Sequence, residues 1–119
     1  GESSETGEGR GAGLGVNRPL PAGTAGDTLL AIYDETLRRA ADRFRPQLVL
    51  VSAGFDSRIG DPLGRFMLTD ADFDAMTERV LDIADRHAGG RCVSILEGGY
   101  NLPGLASAAR AHVERLSRA

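Results

Sequence analysis

The chain has 119 residues, enough for one modest domain with a limited core. It is 41% hydrophobic and 26% charged, with a net charge of −3 and with arginines and acids interspersed, which leaves no electrostatic case for nucleic acid or an anionic membrane surface as partner. No apolar run approaches the length that spans a bilayer, the first residues carry no signal-peptide pattern, and the lone Cys92 excludes an internal disulfide and fits a reducing, cytoplasmic compartment.

The opening stretch, GESSETGEGRGAGLG, is rich in glycine and nearly free of apolar side chains. A domain seldom begins with so little to bury, so either a disordered tail or a piece of a longer polypeptide is expected. Residues 16–27, VNRPLPAGTAGD, read as extended loop with a short edge strand near Val16. Asp27 is the expected N-cap of a helix over 28–44, whose apolar residues Leu29, Leu30, Tyr33, Leu37, Ala40, Ala41 and Phe44 recur at helical spacing. Pro46 stops it. LVLVS, residues 48–52, is a continuous aliphatic run without polar alternation, the pattern of a strand covered on both faces in a parallel sheet.

A loop over 53–68 leads to Thr69, which caps a second helix over 70–87 with Asp72 at the capping-box position. Gly89 and Gly90 end that helix, RCVSIL (91–96) forms a second buried strand, and EGGYNLPG leads to a third helix over 105–116. Alternating helices and strands predict an α/β domain with parallel strands. Two strands make a poor sheet, so further strands are expected upstream of Gly1.

In open parallel sheets, ligands bind at the carboxyl ends of the strands. Both strands here end in loops of unusual content, SAGFDSRIGDPLG and EGGYNLPG, so Asp56 and Tyr100 are expected at one sheet edge, facing a common cleft. Each follows small residues, Ala53-Gly54 and Gly98-Gly99, that let a ligand approach the backbone. A carboxylate at such a place ligates a metal, acts as a base or caps a turn. A phenol donates a hydrogen bond to a developing oxyanion while staying protonated, its ordinary pKa being about 10. On spacing alone the competing reading is equally weighted: Asp56 and Asp61 as turn formers, Tyr100 as a core aromatic. The run GRGAGLG lacks the preceding strand and following helix of a phosphate-binding loop, which makes a nucleotide- or flavin-binding domain remote. His87 and His112 fall on predicted helices without partners at metal-ligand spacing and read as solvated or capping residues, and Cys92 reads as a small buried hydrophobe.

Taken together and in order, ETGEGRGAGLGVNRPLPAGTAGD, LVLVSAGFDSRIGDPLG and LEGGYNL resemble the zinc-dependent histone deacetylase and acetylpolyamine amidohydrolase family, over nearly the whole chain. The wording of SAGFD and LEGGY is similar to class II-like and bacterial members. The resemblance implies a three-layer α/β/α parallel-sheet fold of the arginase/deacetylase kind. Residues 1–119 would be the C-terminal portion of one such domain, 1–27 its glycine/proline-rich loop and 28–119 its helix-strand-helix-strand-helix part. It implies hydrolysis of an N-acetyl amide, acetyl-lysine or acetylpolyamine, to acetate and amine. Asp56 would be a Zn2+ ligand and Tyr100 the oxyanion donor, with Pro62, Leu63, Gly98 and Gly99 lining the acyl-lysine channel. Potassium in the parent protein is a further implication, its sites lying mainly in the absent region.

The family's remaining zinc ligands and paired histidines belong to motifs upstream of the glycine segment, so these 119 residues are expected to be inactive alone. A non-catalytic, deacetylase-like binding module is the alternative reading. Arg18 stands where relatives carry an apolar residue. Ser57-Arg58-Ile59 stands where many carry Ala-His-x, at the channel mouth, so that departure bears on substrate choice. The sequence sets no oligomeric state.

Overall fold

The computed structural model describes residues 1–118; Ala119 lies outside them. After a single 3-10 turn at Gly9–Gly11 come α1 (Gly26–Phe44), β1 (Val49–Ala53), α2 (Asp70–Ala88), β2 (Cys92–Leu96) and α3 (Leu102–Leu116). The element order is the expected one, and the differences lie at the ends.

Helix α1 starts two residues early. Ala25 occupies its N-cap position and Asp27 lies inside the first turn, where its carboxylate accepts the Thr28 N–H at 2.8 Å. An acid in that turn serves an unpaired N–H and the helix dipole without being the cap. The helix ends at Arg45 in the left-handed region (φ 52°), with Pro46 next. Phe44, expected in the buried stripe, is 68% exposed at the last turn. Helix α2 begins as the sequence reads: the Asp72 carboxylate accepts both the backbone N–H (2.7 Å) and the hydroxyl (2.8 Å) of Thr69. Gly89 closes it at φ 59°, and Gly90 N–H returns to the Ala84 carbonyl. Helix α3 starts three residues earlier than expected, because Asn101 caps it by accepting the Gly104 N–H at 3.0 Å and Pro103 sits in the first turn, where no donor is lost.

Strands β1 and β2 pair in parallel, Val49 with Cys92 through Ala53 with Leu96. The ladder continues past both strands, with Glu97 N–H on the Ala53 carbonyl (3.0 Å) and Phe55 N–H on the Gly98 carbonyl (2.8 Å). Helix α2 is the crossover. It touches both strands and lies between α1 and α3, which do not meet. One face of the sheet looks into the core of Ala53, Phe55, Leu68, Phe73 and Ala108, with Val51 and Met76 against it. Phe55, Leu68 and Phe73 are each at most 4% exposed, and side chains buried to that degree contribute on the order of 1.5–3 kcal/mol each.

The opposite face carries Leu50, Val93 and Ile95, which are 66%, 47% and 59% exposed. The fold is therefore α/β as expected. Of the three layers implied, the described residues build the sheet and one helical layer.

No strand forms near Val16 among the described residues. Instead the lead segment folds back on itself, with Gly13 and Gly15 N–H on the Thr6 carbonyl and Asn17 Nδ2 on the carbonyls of Glu2 and Glu5. It then runs alongside the loop that follows β1: Gly23 N–H meets the Arg65 carbonyl (2.7 Å) and Met67 N–H meets the Thr24 carbonyl (2.9 Å). Arg18 points its Nε at the Thr36 hydroxyl of α1, 3.0 Å away.

Candidate functional site

The loop after β1 is a closed structure rather than a slack connection. Ile59 N–H and Leu68 N–H bond to the carbonyls of Leu68 and Ser57, so both limbs of residues 57–68 run side by side. Leu68, 1% exposed, plugs the base of this loop into the core. Phe55 anchors the other end, its ring 5.1 Å from Phe73 and 5.8 Å, edge-on, from the His112 imidazole. Asp56 is thus held immediately after a buried aromatic whose backbone is bonded to Gly98. Gly64 passes so close over this residue that a Cβ there would fall 1.5 Å from the Asp56 carbonyl oxygen, which excludes any side chain at position 64.

The Asp56 carboxylate lies against glycine backbone. A Cβ on Gly98 would sit 3.0 Å from its Oδ2, and one on Gly54 would sit 3.3 Å from its Oδ1. Gly98 is therefore beside Asp56. Gly99 turns the chain at φ +136°, and its missing side chain would meet Leu105 and Phe55 on the core side.

Asp61 brings the second loop in. Its carboxylate accepts the N–H of Leu63 (2.8 Å) and Gly64 (2.9 Å) through Oδ1 and that of Tyr100 (2.8 Å) through Oδ2. Desolvation opposes its charge, but the N–H groups of Gly64, Tyr100, Leu63 and Asn101 outweigh that and hold the carboxyl below its ordinary value. Asn101 adds a second tie, donating from Nδ2 to the Gly60 carbonyl at 2.9 Å. The turn-forming reading of Asp61 is correct as far as it goes. What it misses is the reach to Tyr100, thirty-nine residues on, and strand-end placement of both loops was the available signal.

Tyr100 is 52% exposed and Leu63 66% exposed, with Pro62 exposed beside it. These three residues therefore lie on the open side of the loops, with Asp56 and Gly98 half-buried between them and the core. A cavity of about 420 Å³ is elsewhere. It lies between α1, α2 and the inner face of β1, lined by Leu29, Tyr33, Val51, Phe73 and Met76 among others, and Asp56 and Tyr100 are not among its walls. It is a gap in apolar packing, not the expected cleft.

His112 is the other departure. Expected as a solvated or capping residue, it is 8% exposed, with Nδ1 2.7 Å from the Thr77 hydroxyl and Nε2 2.8 Å from the Ser94 hydroxyl. It is a satisfied core histidine, and burial pushes its pKa down. His87 lies 3.2 Å from Asp42 across α1 and α2. Cys92 is half-buried, and desolvation raises its thiol pKa.

As to a metal, the described residues contain no cluster of three His, Cys, Asp or Glu side chains able to hold one. Asp56, cradled by two glycines, fits the role of a single ligand.

The chain is similar to known proteins along nearly its whole length. A family model described as "Histone deacetylase domain" matches residues 1–116. Histone deacetylase-like amidohydrolase of Pseudomonas aeruginosa is 42% identical over 115 residues, covering 97% of this chain and 30% of that protein. "Histone deacetylase 10, chloroplastic" of Oryza sativa is 41% identical over 107 residues, covering 90% of this chain and 24% of that one. The crystal structure of the HDA15 HD domain superposes with a TM-score of 0.89 at 35% identity, covering 98% of this chain and 32% of its own. The chain thus spans 24% to 32% of the length of these relatives. With a family model matched along nearly its whole length and a fold shared at this level of identity, the chain belongs to the histone deacetylase family.

Proposed function

We propose that the protein carrying this chain is a zinc-dependent deacetylase that cleaves an N-acetyl amide, on lysine or a polyamine, with Asp56 as one zinc ligand and Tyr100 as oxyanion donor. The observation that supports it is the parallel register: Phe55 N–H bonds to the Gly98 carbonyl, setting the Asp56 carboxylate against the residue two before Tyr100. Bound zinc supplies Lewis-acid activation of the carbonyl.

This chain's own residues do the rest of what is assigned to it. Asp56 holds a ligand oxygen at the strand end, where Gly54 and Gly98 leave room on both sides. Tyr100 donates its O–H to the carbonyl oxygen as it gains charge during attack by water. The C–N bond then breaks, the acyl carbon leaves as acetate and the nitrogen takes a proton to leave as amine. Pro62 and Leu63 wall the entry channel, with Gly98 and Gly99 along its floor. The remaining ligands and the histidine base would come from other parts of the same domain in the parent protein, since this chain spans only 24% to 30% of such relatives. A potassium ion belongs to that same region. The substrate is an acetylated small amine or side chain rather than nucleic acid or membrane. A reducing, cytoplasmic setting accords with the lone Cys92.

The test is metal analysis of the whole protein alongside its Asp56→Ala variant, with turnover of an acetyl-lysine peptide and of an acetylpolyamine. The wild type is expected to hold about one zinc per site and to release acetate, and the variant to lose both. Zinc content and acetate release unaffected by the variant would overturn the assignment.

A further inference from the structure

We propose that Arg58, Asp70 and Ser107 form a positioning staple that sets the spacing between Asp56 and Tyr100, and that Arg58 is not a residue that reads substrate. The proposal rests on Asp56 and Tyr100 being the working pair.

Arg58 occupies the middle of the turn that carries both site carboxylates. Its N–H bonds to the Phe55 carbonyl (3.2 Å) and its own carbonyl accepts the Asp61 N–H (3.1 Å). Its side chain turns inward, only 24% exposed. Nε meets Asp70 Oδ1 at 2.6 Å and Nη2 meets Oδ2 at 3.3 Å, while Nη1 donates to the Ile59 carbonyl at 3.1 Å. Such a forked pair fixes direction as well as distance, which a lysine ammonium in its place would not.

Asp70 is the first residue of α2, and its carboxylate also accepts the Ser107 hydroxyl of α3. A single carboxylate therefore joins the site turn to two helices. The third point of support is Gly104, in the first turn of α3: a Cβ there would lie 3.1 Å from Arg58 Nη1 and 3.3 Å from its Cδ, so the arginine packs directly on the α3 backbone. Helix α3 starts at Leu102, two residues after Tyr100. The arginine thus fixes the turn holding Asp56 and Asp61 relative to the start of the helix that follows Tyr100.

The two helices do not depend on this staple to stay together. Phe73 and Ala108 meet in the core, and at the far end Arg115 pairs with Asp74 (Nε–Oδ1 2.9 Å) and Glu78 (3.3 Å). Removing the Arg58 fork therefore releases the turn and leaves the helical layer standing.

The experiment compares Arg58→Gln, Asp70→Asn and the double variant in the whole protein, well below its unfolding temperature. Three readouts are taken: kcat and KM on an acetyl-lysine peptide, amide exchange at Tyr100, and amide exchange at Val80 and Ala84 in α2. Each single variant is expected to lower kcat by about 10- to 100-fold, the scale of a small misplacement at a reacting centre, with KM changed less than about twofold. Tyr100 exchange should rise while Val80 and Ala84 stay protected, and the double variant should be no worse than either single one, since both remove the same fork. An unchanged kcat with unchanged Tyr100 exchange overturns the staple, as does a loss of activity that follows loss of protection at Val80 and Ala84. If the wild type releases no acetate, the deacetylase reading falls, yet faster Tyr100 exchange in Arg58→Gln still upholds the staple and unchanged exchange still sinks it.

Discussion

Asp61 and Asp56 stand five positions apart in one loop and divide the work of a carboxylate. Asp61 spends its lone pairs on backbone: three N–H donors from two loops converge on it, so it fixes where Tyr100 begins. Asp56 instead lies close against the backbone of Gly54 and Gly98, where a side chain on either glycine would crowd its carboxylate. His112 supports the same region from beneath, through the Phe55 ring. Its tautomer follows from its neighbours. The Thr77 hydroxyl donates to the Phe73 carbonyl at 2.6 Å, so it receives the His112 Nδ1–H, and Nε2 is left to accept the Ser94 hydroxyl. A neutral ring with its proton on Nδ1 satisfies both contacts, in keeping with a pKa lowered by burial.

The sign of the pH effect is then fixed. The unfolded histidine takes up a proton below about pH 6.5, while the folded one resists it until a lower pH. Stability is therefore full above about pH 6.5 and falls as pH drops through the folded pKa. Denaturant midpoints of the wild type should be lower at about pH 5.5 than at about pH 7.5, and His112→Gln, which cannot titrate, should flatten that difference. An equal slope in the variant would remove His112 from the account. The carboxyls of Asp61 and Asp70, held below their ordinary values, add their loss only on the more acid side, below about pH 4.

His112 was legible in the sequence after all. It continues the stripe Leu105, Ala108, Ala109 at helical spacing, so its own helix assigns it to the buried face. Attention to metal spacing alone hides that.

At the scale of elements, the helix starts teach the same lesson through their caps. The Thr69–Asp72 box is a local pattern, and α2 begins where that pattern puts it. For α3 the decisive residue is Asn101. Its side chain accepts from Gly104 and donates to the Gly60 carbonyl, so it starts the helix and ties it to the Asp61 loop at once. Only the first half is local, and only that half is readable from Asn-x-Pro spacing.

Asn101→Ala should cost about 1 kcal/mol of stability, the ordinary value of an N-cap, in urea unfolding. Asn101→Asp keeps the acceptor and should recover most of that loss, while still freeing Gly60. No stability change in the alanine variant would mean that the cap is idle. The strands show the reverse case. Their register is fixed by contacts no single segment reveals, and that register brings Asp56 to Gly98.

For the molecule as a whole, the uninterrupted aliphatic runs of β1 and β2 ask for cover on both faces, and the described residues supply it on one. Leu50, Val93 and Ile95 form the uncovered side, an apolar face of the kind that soluble domains usually bury. The functional loops sit at the carboxyl edge of this sheet, held by Phe55, Leu68 and the lead segment over 23–25. The fold class and the location of both loops were therefore legible. The cover for the outer face of the sheet was not, because the described residues do not supply it. The most direct measurement of the central claim is kcat of Tyr100→Phe in the zinc-loaded whole protein, on an acetyl-lysine substrate. Removing one oxyanion donor should lower kcat by about 100- to 1000-fold with zinc content unchanged, whereas turnover near the wild-type rate would contradict the role assigned to Tyr100.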